Sequence, residues 1–484
     1  MTTPTLPRSR GRGPRVAMLV YNDAHNDTRV LKEAASLRSA GATVRIFAVA
    51  RPRAGYGPGV EEIDEGLDIA RLREFSLAGV AAPLRRGGPS PLPSSAQDAH
   101  EPQDHGPQDG APDHASQADP TPDTSPDQHP VPPEEPARGP APQRRLAAAG
   151  AVLGRVGADV AMRAYRTVSL SAYWLRAARA VLAWRPDVVH ANDANTLAPA
   201  LWVVDRCGAR LVYDSHELWR HRNVRPDRPV APRVEAAIET RGIERADAVV
   251  TVSPSIVEWL DEHYHLSAPP VLVRNIPVAG PPPDPARGRL RALAGLAPEA
   301  RVIAYGGRLT TSRGLEETIA ALAELPDDVH LVMLGYGEPD YLAALEEAAR
   351  RAGVADRVHR VGPVAPHEVA ESLADADLSV VHVRPTCLSY RFALPNKLFE
   401  SIRAGLPVAA ADLPDIRAVV EGLGVGEVFD GEDPGALAAT ISTILDDPGR
   451  YRAAARAAAP SLTWENEAEA LLGAYRQALM GGRA

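Results

Sequence analysis

Cysteine is scarce in this chain, with two among 484 residues, Cys207 and Cys387, far apart in sequence. That leaves no basis for a disulfide framework or for a zinc site of clustered Cys and His, and makes a cytoplasmic location the expectation. Long apolar runs are also missing. No 18 consecutive apolar residues occur, so no membrane-spanning helix is expected. Residues 1–13 carry Arg8, Arg10 and Arg12 with no apolar run before the first strand, which does not read as a secretory leader. Lysine is nearly absent: Lys32 and Lys397 are the only two, and arginine carries almost all the positive charge. Together with abundant Ala and Pro, this reads as coding bias.

The formal charge of −9 is unevenly spread. Residues 87–137 hold ten acids and no Lys or Arg, and the remainder is close to neutral. Nothing therefore calls for a nucleic-acid partner. The surrounding stretch, about 85–143, is rich in Pro, Asp, Gln, Ser and His and has no aromatic residue. It cannot bury enough apolar surface to offset its ordering entropy, so a disordered insertion is expected.

On both sides of it, short β-branched runs alternate with helical patterns, which predicts parallel sheets covered by helices. Strands are expected at 15–21, 42–50, 187–191, 210–214, 248–253 and 271–275. After a proline-rich break at 277–285 they resume at 302–306, 329–334, 357–361, 378–383, 407–411 and 426–430. Helices are expected at 28–40 and 314–325, each with one apolar face. The fold class is α/β, with two Rossmann-like doubly wound domains facing across a cleft. Residues 1–276 would form the first domain, 277–462 the second, and 463–484 a C-terminal helix. Residues 144–185 read as one or two amphipathic helices rich in Arg. Their basic face would either rest on an anionic membrane or simply pack as a surface element.

Two blocks in the second half carry chemistry. The first runs from Ile303 through Gly306, Gly307, Arg308 and Arg313 into a helix. Glycines let a phosphate approach the backbone, a helix N-terminus attracts negative charge, and Arg308 and Arg313 suit bidentate bonds to a diphosphate. The second runs Leu394-Pro395-Asn396-Lys397-Leu398-Phe399-Glu400 to Gly405. A carboxylate on such a helix, Glu400, can accept both hydroxyls of a ribose. In the first half, the loop 21–29 follows the first strand where an acceptor would enter. Asn26 lies in it, and Asp27 or Thr28 can cap the next helix. His190 and Asp193 follow one strand, and His216 and Glu217 another, so that polar residues fan out from two neighbouring strand ends.

These blocks, in this order and spacing, resemble the group 1 family of retaining glycosyltransferases with the GT-B fold. Segments 329–337, 358–364, 375–381 and 424–429 are similar to that family too, as is Asp27-x-Arg29-Val30-Leu31-Lys32-Glu33-Ala34. The resemblance spans nearly the whole chain apart from the insertion. It implies a nucleotide-sugar donor bound mainly by the C-terminal domain. It places Arg308 and Arg313 at the donor diphosphate, with Arg313 standing where Lys is usual. Glu400 would hold the ribose, and Gly335 and Gly362 would line the nucleotide pocket. His216 would lie near the transferred sugar. Phe392 occupies a position where the family often carries a glutamate, which leaves backbone groups around 393–396 as candidates to position the sugar.

The expectation is a retaining, metal-independent glycosyltransferase without a cofactor. The acceptor would be a cell-envelope glycan, lipid or metabolite, with peripheral membrane contact through 144–185 an added expectation. Catalytic roles fall to His216, Arg308 and Arg313. Donor binding falls to Gly307, Gly335, Gly362, Asn396, Lys397 and Glu400, and the acceptor side to Asn26, His190, Asp193 and Glu217. Asp375-Ala-Asp377 has the form of a metal motif but sits at the mouth of an apolar strand and reads as structural. Two rivals remain. A nucleotide-sugar 2-epimerase would need its own acid and base around the sugar, and a silent sugar-nucleotide-binding subunit has only Phe392 in its favour.

Overall fold

Runs that are apolar at every position belong in strands covered on both faces. In the computed structural model, which describes residues 5–73, 75, 142–223 and 231–481, such runs build two sheets. The first holds β1 (Arg15–Leu19), β2 (Thr43–Val49), β3 (Gly59–Asp64), β4 (Leu67–Leu72), β5 (Val188–Asn192), β6 (Arg210–Ser215), β7 (Ala248–Thr251) and β8 (Val271–Leu272). Their order is β3-β4-β2-β1-β5-β6-β7-β8, and only β3 runs antiparallel to its neighbour. The second holds β9 (Arg301–Gly306), β10 (Val329–Leu334), β11 (Val358–Val361), β12 (Leu378–Val381), β13 (Val408–Ala411) and β14 (Gly426–Phe429). It is parallel throughout, in the order β11-β10-β9-β12-β13-β14.

Both sheets are doubly wound. The chain winds outward from the first strand, then returns to its other side, which leaves a crevice between β1 and β5 and another between β9 and β12. The β3–β4 hairpin was not anticipated from the sequence. β3 is exposed along its whole length and carries Glu61, Glu62 and Asp64, so it lacks the apolar run that marks the other strands. The described residues up to Arg73 and from Trp174 onward form one compact unit that contains both sheets. The helix Pro142–Trp184 is continuous. In a second unit, Tyr165 of that helix donates its hydroxyl to the Phe75 carbonyl at 3.0 Å. Residues 85–141 of the expected insertion lie outside the described residues, as do the side chains of Arg144, Arg145 and Arg155 from the expected basic face, of which Arg166, Arg176 and Arg179 are exposed.

Helix positions follow from the pattern of buried residues. Asp27 caps the helix Thr28–Ser39 by accepting from the Val30 amide, and Val30, Ala34 and Leu37 face the first sheet. The charged Arg29 and Glu33 share that inner face. The helix Trp464–Met480 returns to the first sheet and buries Leu471, Leu472 and Tyr475 in the same core as β1 and β2. Glu467 pins its start by accepting from the Arg274 amide at 2.8 Å and from the Arg274 guanidinium at 2.6 Å. Direct contacts tie the halves together. Ser253 Oγ donates to the Phe392 carbonyl at 2.7 Å, and Ser255 Oγ donates to Asp415 at 3.0 Å. Asp375 accepts the Leu290 and Arg291 amides, and Asp377 accepts Val302 N–H and pairs with Arg291, so this pair holds backbone in place. Among the described residues no helix is long and apolar enough to cross a membrane.

Candidate functional site

The loops at the carboxyl ends of β9, β10 and β12 are forced close together. Gly307 has φ +124° and open space where a side chain would stand, while a Cβ on Gly335 would strike the Gly307 carbonyl. Ser312 and Gly314 flank Arg313 with φ of +62° and +65°, and a Cβ on Gly314 would run into the ring of His382 at the end of β12. A non-glycine residue held at positive φ, as Ser312 is, is characteristic of functional loops. His382 donates Nε2–H to the Gly431 carbonyl at 2.7 Å, and burial pushes it down to about 4, so it packs as a neutral ring.

Around this crevice stand Arg313, Lys397 and Glu400. The Arg313 guanidinium lies 5.4 Å from the Tyr390 ring centre, and Lys397 Nζ lies 3.9 Å over Tyr305. The Lys397 ammonium is buried without a hydrogen-bond partner. Burial, reinforced by Arg313, holds its pKa well below the usual lysine value, with Glu400 opposing. Burial likewise raises the Glu400 carboxyl, while Lys397 and Lys32 pull it back. A buried amino group without a hydrogen-bond partner, beside the Arg313 guanidinium, suits an anion, whose negative charge offsets the lost hydration. Arg308 is partly buried, its guanidinium 3.3 Å from the exposed Glu338, and its carbonyl accepts the Tyr305 hydroxyl at 2.8 Å. Gly362 is exposed at the end of β11 and follows Val361, whose carbonyl accepts the Gly335 amide at 3.3 Å.

At the β1/β5 crevice of the first sheet, a cavity of about 330 Å³ is lined by Asn26, Asp27, Asp193 and Asn275, and by Asn396 from the second half. Beneath it lies a charged network. Arg29 grips Asp214 with two bonds, at 2.9 and 3.0 Å, donates to the Val273 carbonyl at 2.7 Å and pairs with Glu33 at 3.0 Å. His216 donates Nε2–H to Asp214 at 2.9 Å and sits 3.5 Å from Asp193 on its other side. Burial alone would lower the His216 pKa, but the two carboxylates outweigh it and hold it well above its ordinary value. Asp193 adopts φ 61° and ψ 162°, a backbone region otherwise kept for glycine. Loss of hydration pushes Glu217 up to about 7, against the pull of Arg222. Glu217 also acts electrostatically on Cys387 of the second half.

His190, expected on the acceptor side, is fully buried instead, 2.6 Å from the Tyr475 hydroxyl. It lies inside β5, where the side chain meets the C-terminal helix, so it supports the network from below. Glu33, His190 and Asp214 could converge on one ion, but Arg29 already supplies the positive charge between the two acids. A second cavity, of about 390 Å³ and floored by Met333 and Leu345, lies beside β11 and shares no residue with either cluster.

Reading the sequence missed Arg29, Lys32 and Asn275 as site residues. Lys32 donates to Asn275 Oδ1 at 2.7 Å and to the Ile276 carbonyl at 2.6 Å, and burial lowers it to about 8. It also pulls on Glu400, which links the two crevices. The available signal was three charges, at 29, 32 and 33, on the turn that follows a helix cap, where the inner face should be apolar.

Comparison with known proteins agrees with this geometry. Residues 300–447 match the family model described as glycosyl transferases group 1, and residues 129–276 match that described as glycosyltransferase family 4. The D-inositol 3-phosphate glycosyltransferase of Xylanimonas cellulosilytica is 30% identical over 311 residues, which cover 60% of this chain and 72% of the relative. Among solved structures, the sucrose-phosphate synthase of Thermosynechococcus elongatus superposes with a TM-score of 0.65 at 17% identity, covering 96% of this chain and 98% of that one. HepE of Anabaena in complex with UDP gives 0.58 at 14% identity, covering 94% and 98%. The chain belongs to the group 1 glycosyltransferases, enzymes of sugar transfer, and its two doubly wound sheets form the GT-B fold.

Proposed function

We propose that the chain transfers a sugar from a nucleoside-diphosphate donor to an acceptor hydroxyl with retained anomeric configuration and without a metal. The observation that carries this reading is the buried, unpartnered Lys397 ammonium beside Arg313, at glycine loops that leave the backbone open. Two cations there suit the charge that grows on a departing diphosphate, the role a metal would otherwise fill. Glu400, close enough to feel both lysines, suits the ribose hydroxyls. The bond from the anomeric carbon to the β-phosphate oxygen breaks as the acceptor oxygen bonds the same face, and the acceptor proton leaves with the diphosphate. Two carboxylates raise the His216 pKa well above its ordinary value, which suits a role in fixing Asp193 at the cavity wall.

The test is proton NMR of the chain incubated with UDP-, GDP- and ADP-sugars in EDTA, with and without hydroxyl acceptors. The expected result is release of one nucleoside diphosphate and a product whose anomeric coupling matches the donor's. An inverted product, or activity lost in EDTA, contradicts the mechanism. A new nucleotide sugar formed without an acceptor would mark an epimerase.

A further inference from the structure

The cavity at the β1/β5 crevice has a distinctive chemistry. Three carboxylates, Asp23, Asp27 and Asp193, and four amides, Asn22, Asn26, Asn275 and Asn396, stand in its wall. Its one cation among the described residues is Arg29, whose guanidinium is engaged by Asp214 and the Val273 carbonyl. Asn396 opens the helix Asn396–Arg403 that carries Lys397 and Glu400, so one helix joins the cavity wall to the cluster assigned above to the donor. On the transfer reading above, this is where the acceptor stands. We infer that the acceptor is a single-ring, hydroxyl-rich molecule without a phosphate, a neutral polyol or a neutral or amino sugar.

Three physical arguments support it. Carboxylates accept hydrogen bonds and donate none, so they match hydroxyls and ammonium groups and repel phosphate oxygens. Amides serve as both donor and acceptor, as a ring with several hydroxyls requires. A volume of about 330 Å³ lies at the small end of ligand pockets, which run from about 300 Å³ upward, and suits one ring rather than a chain. Asp193, fixed by His216 and a strained backbone, is the carboxylate best held against an acceptor hydroxyl.

The experiment titrates the full chain, saturated with the nucleoside diphosphate that it binds, with myo-inositol, glucosamine, glucose, inositol 3-phosphate and glucose 6-phosphate, followed by saturation-transfer NMR and calorimetry. The expected result is that a neutral or amino compound binds at least tenfold more tightly than its phosphorylated counterpart. Asp27→Asn, which keeps the helix cap because Asn caps as well as Asp, should narrow that ratio at least threefold. A phosphorylated compound that binds equally or more tightly overturns the inference, as does a ratio unmoved by Asp27→Asn. If no nucleoside diphosphate binds at all, it is the transfer reading itself that fails, so the two failures are distinguishable.

Discussion

At the scale of single residues, the site is defined by charges held away from their ordinary states. Glu217 titrates near 7 because burial disfavours its charged form. A carboxyl raised in the folded state adds stability below its unfolded value of about 4.3, and that contribution fades as pH rises through the folded value near 7. Glu217→Gln mimics the protonated form at every pH. It should therefore match the natural chain in thermal unfolding near pH 4 and exceed it at pH 8. Equal melting temperatures at both values would mean that Glu217 carries no such burden. Much at this scale was legible beforehand, because Arg313, His216 and Asp193 follow strand ends and Lys397 and Glu400 open a helix after a recognisable loop. The exceptions have a common cause. Arg29 lies on a helix face where apolar residues are the rule, Lys32 stands on another face of the same helix, and His190 sits inside a strand, so their partners are fixed only by the tertiary fold.

At the scale of elements, the crevices depend on how closely the loops approach one another. Gly314 needs both its left-handed backbone and its missing side chain, since a Cβ would meet the His382 ring. Gly424 has the same φ of +65° but open space around it. Gly424→Ala should cost only the left-handed backbone term, about 1–2 kcal/mol. Gly314→Ala should cost about 1–3 kcal/mol more, from overpacking. Urea unfolding of the two variants separates the terms, and equal costs would show that the His382 contact does not constrain the loop. Strand and helix positions were largely readable from apolar runs and caps. The β3–β4 hairpin was not, because β3 has solvent on both faces and half of its residues are charged.

At the scale of the whole molecule, two doubly wound halves are joined by Ser253 to the Phe392 carbonyl, by Ser255 to Asp415, and by the pull of Lys32 on Glu400. The alternation of strands and helices made this architecture legible. The contacts across the halves were not, since no local pattern encodes which loop meets which. The central claim is that this assembly holds a pyrophosphate on a buried lysine whose pKa is held low for want of an anion. Binding a diphosphate should restore that charge and take up a proton. Calorimetric titration of UDP, GDP and ADP near pH 7.5, in buffers of different ionisation heat, measures affinity and proton uptake together. The account predicts that one of them binds with net proton uptake, and that Lys397→Met loses the uptake and at least tenfold in affinity while its melting temperature does not fall. Binding without proton uptake and indifferent to Lys397→Met, or no binding at all, would contradict it.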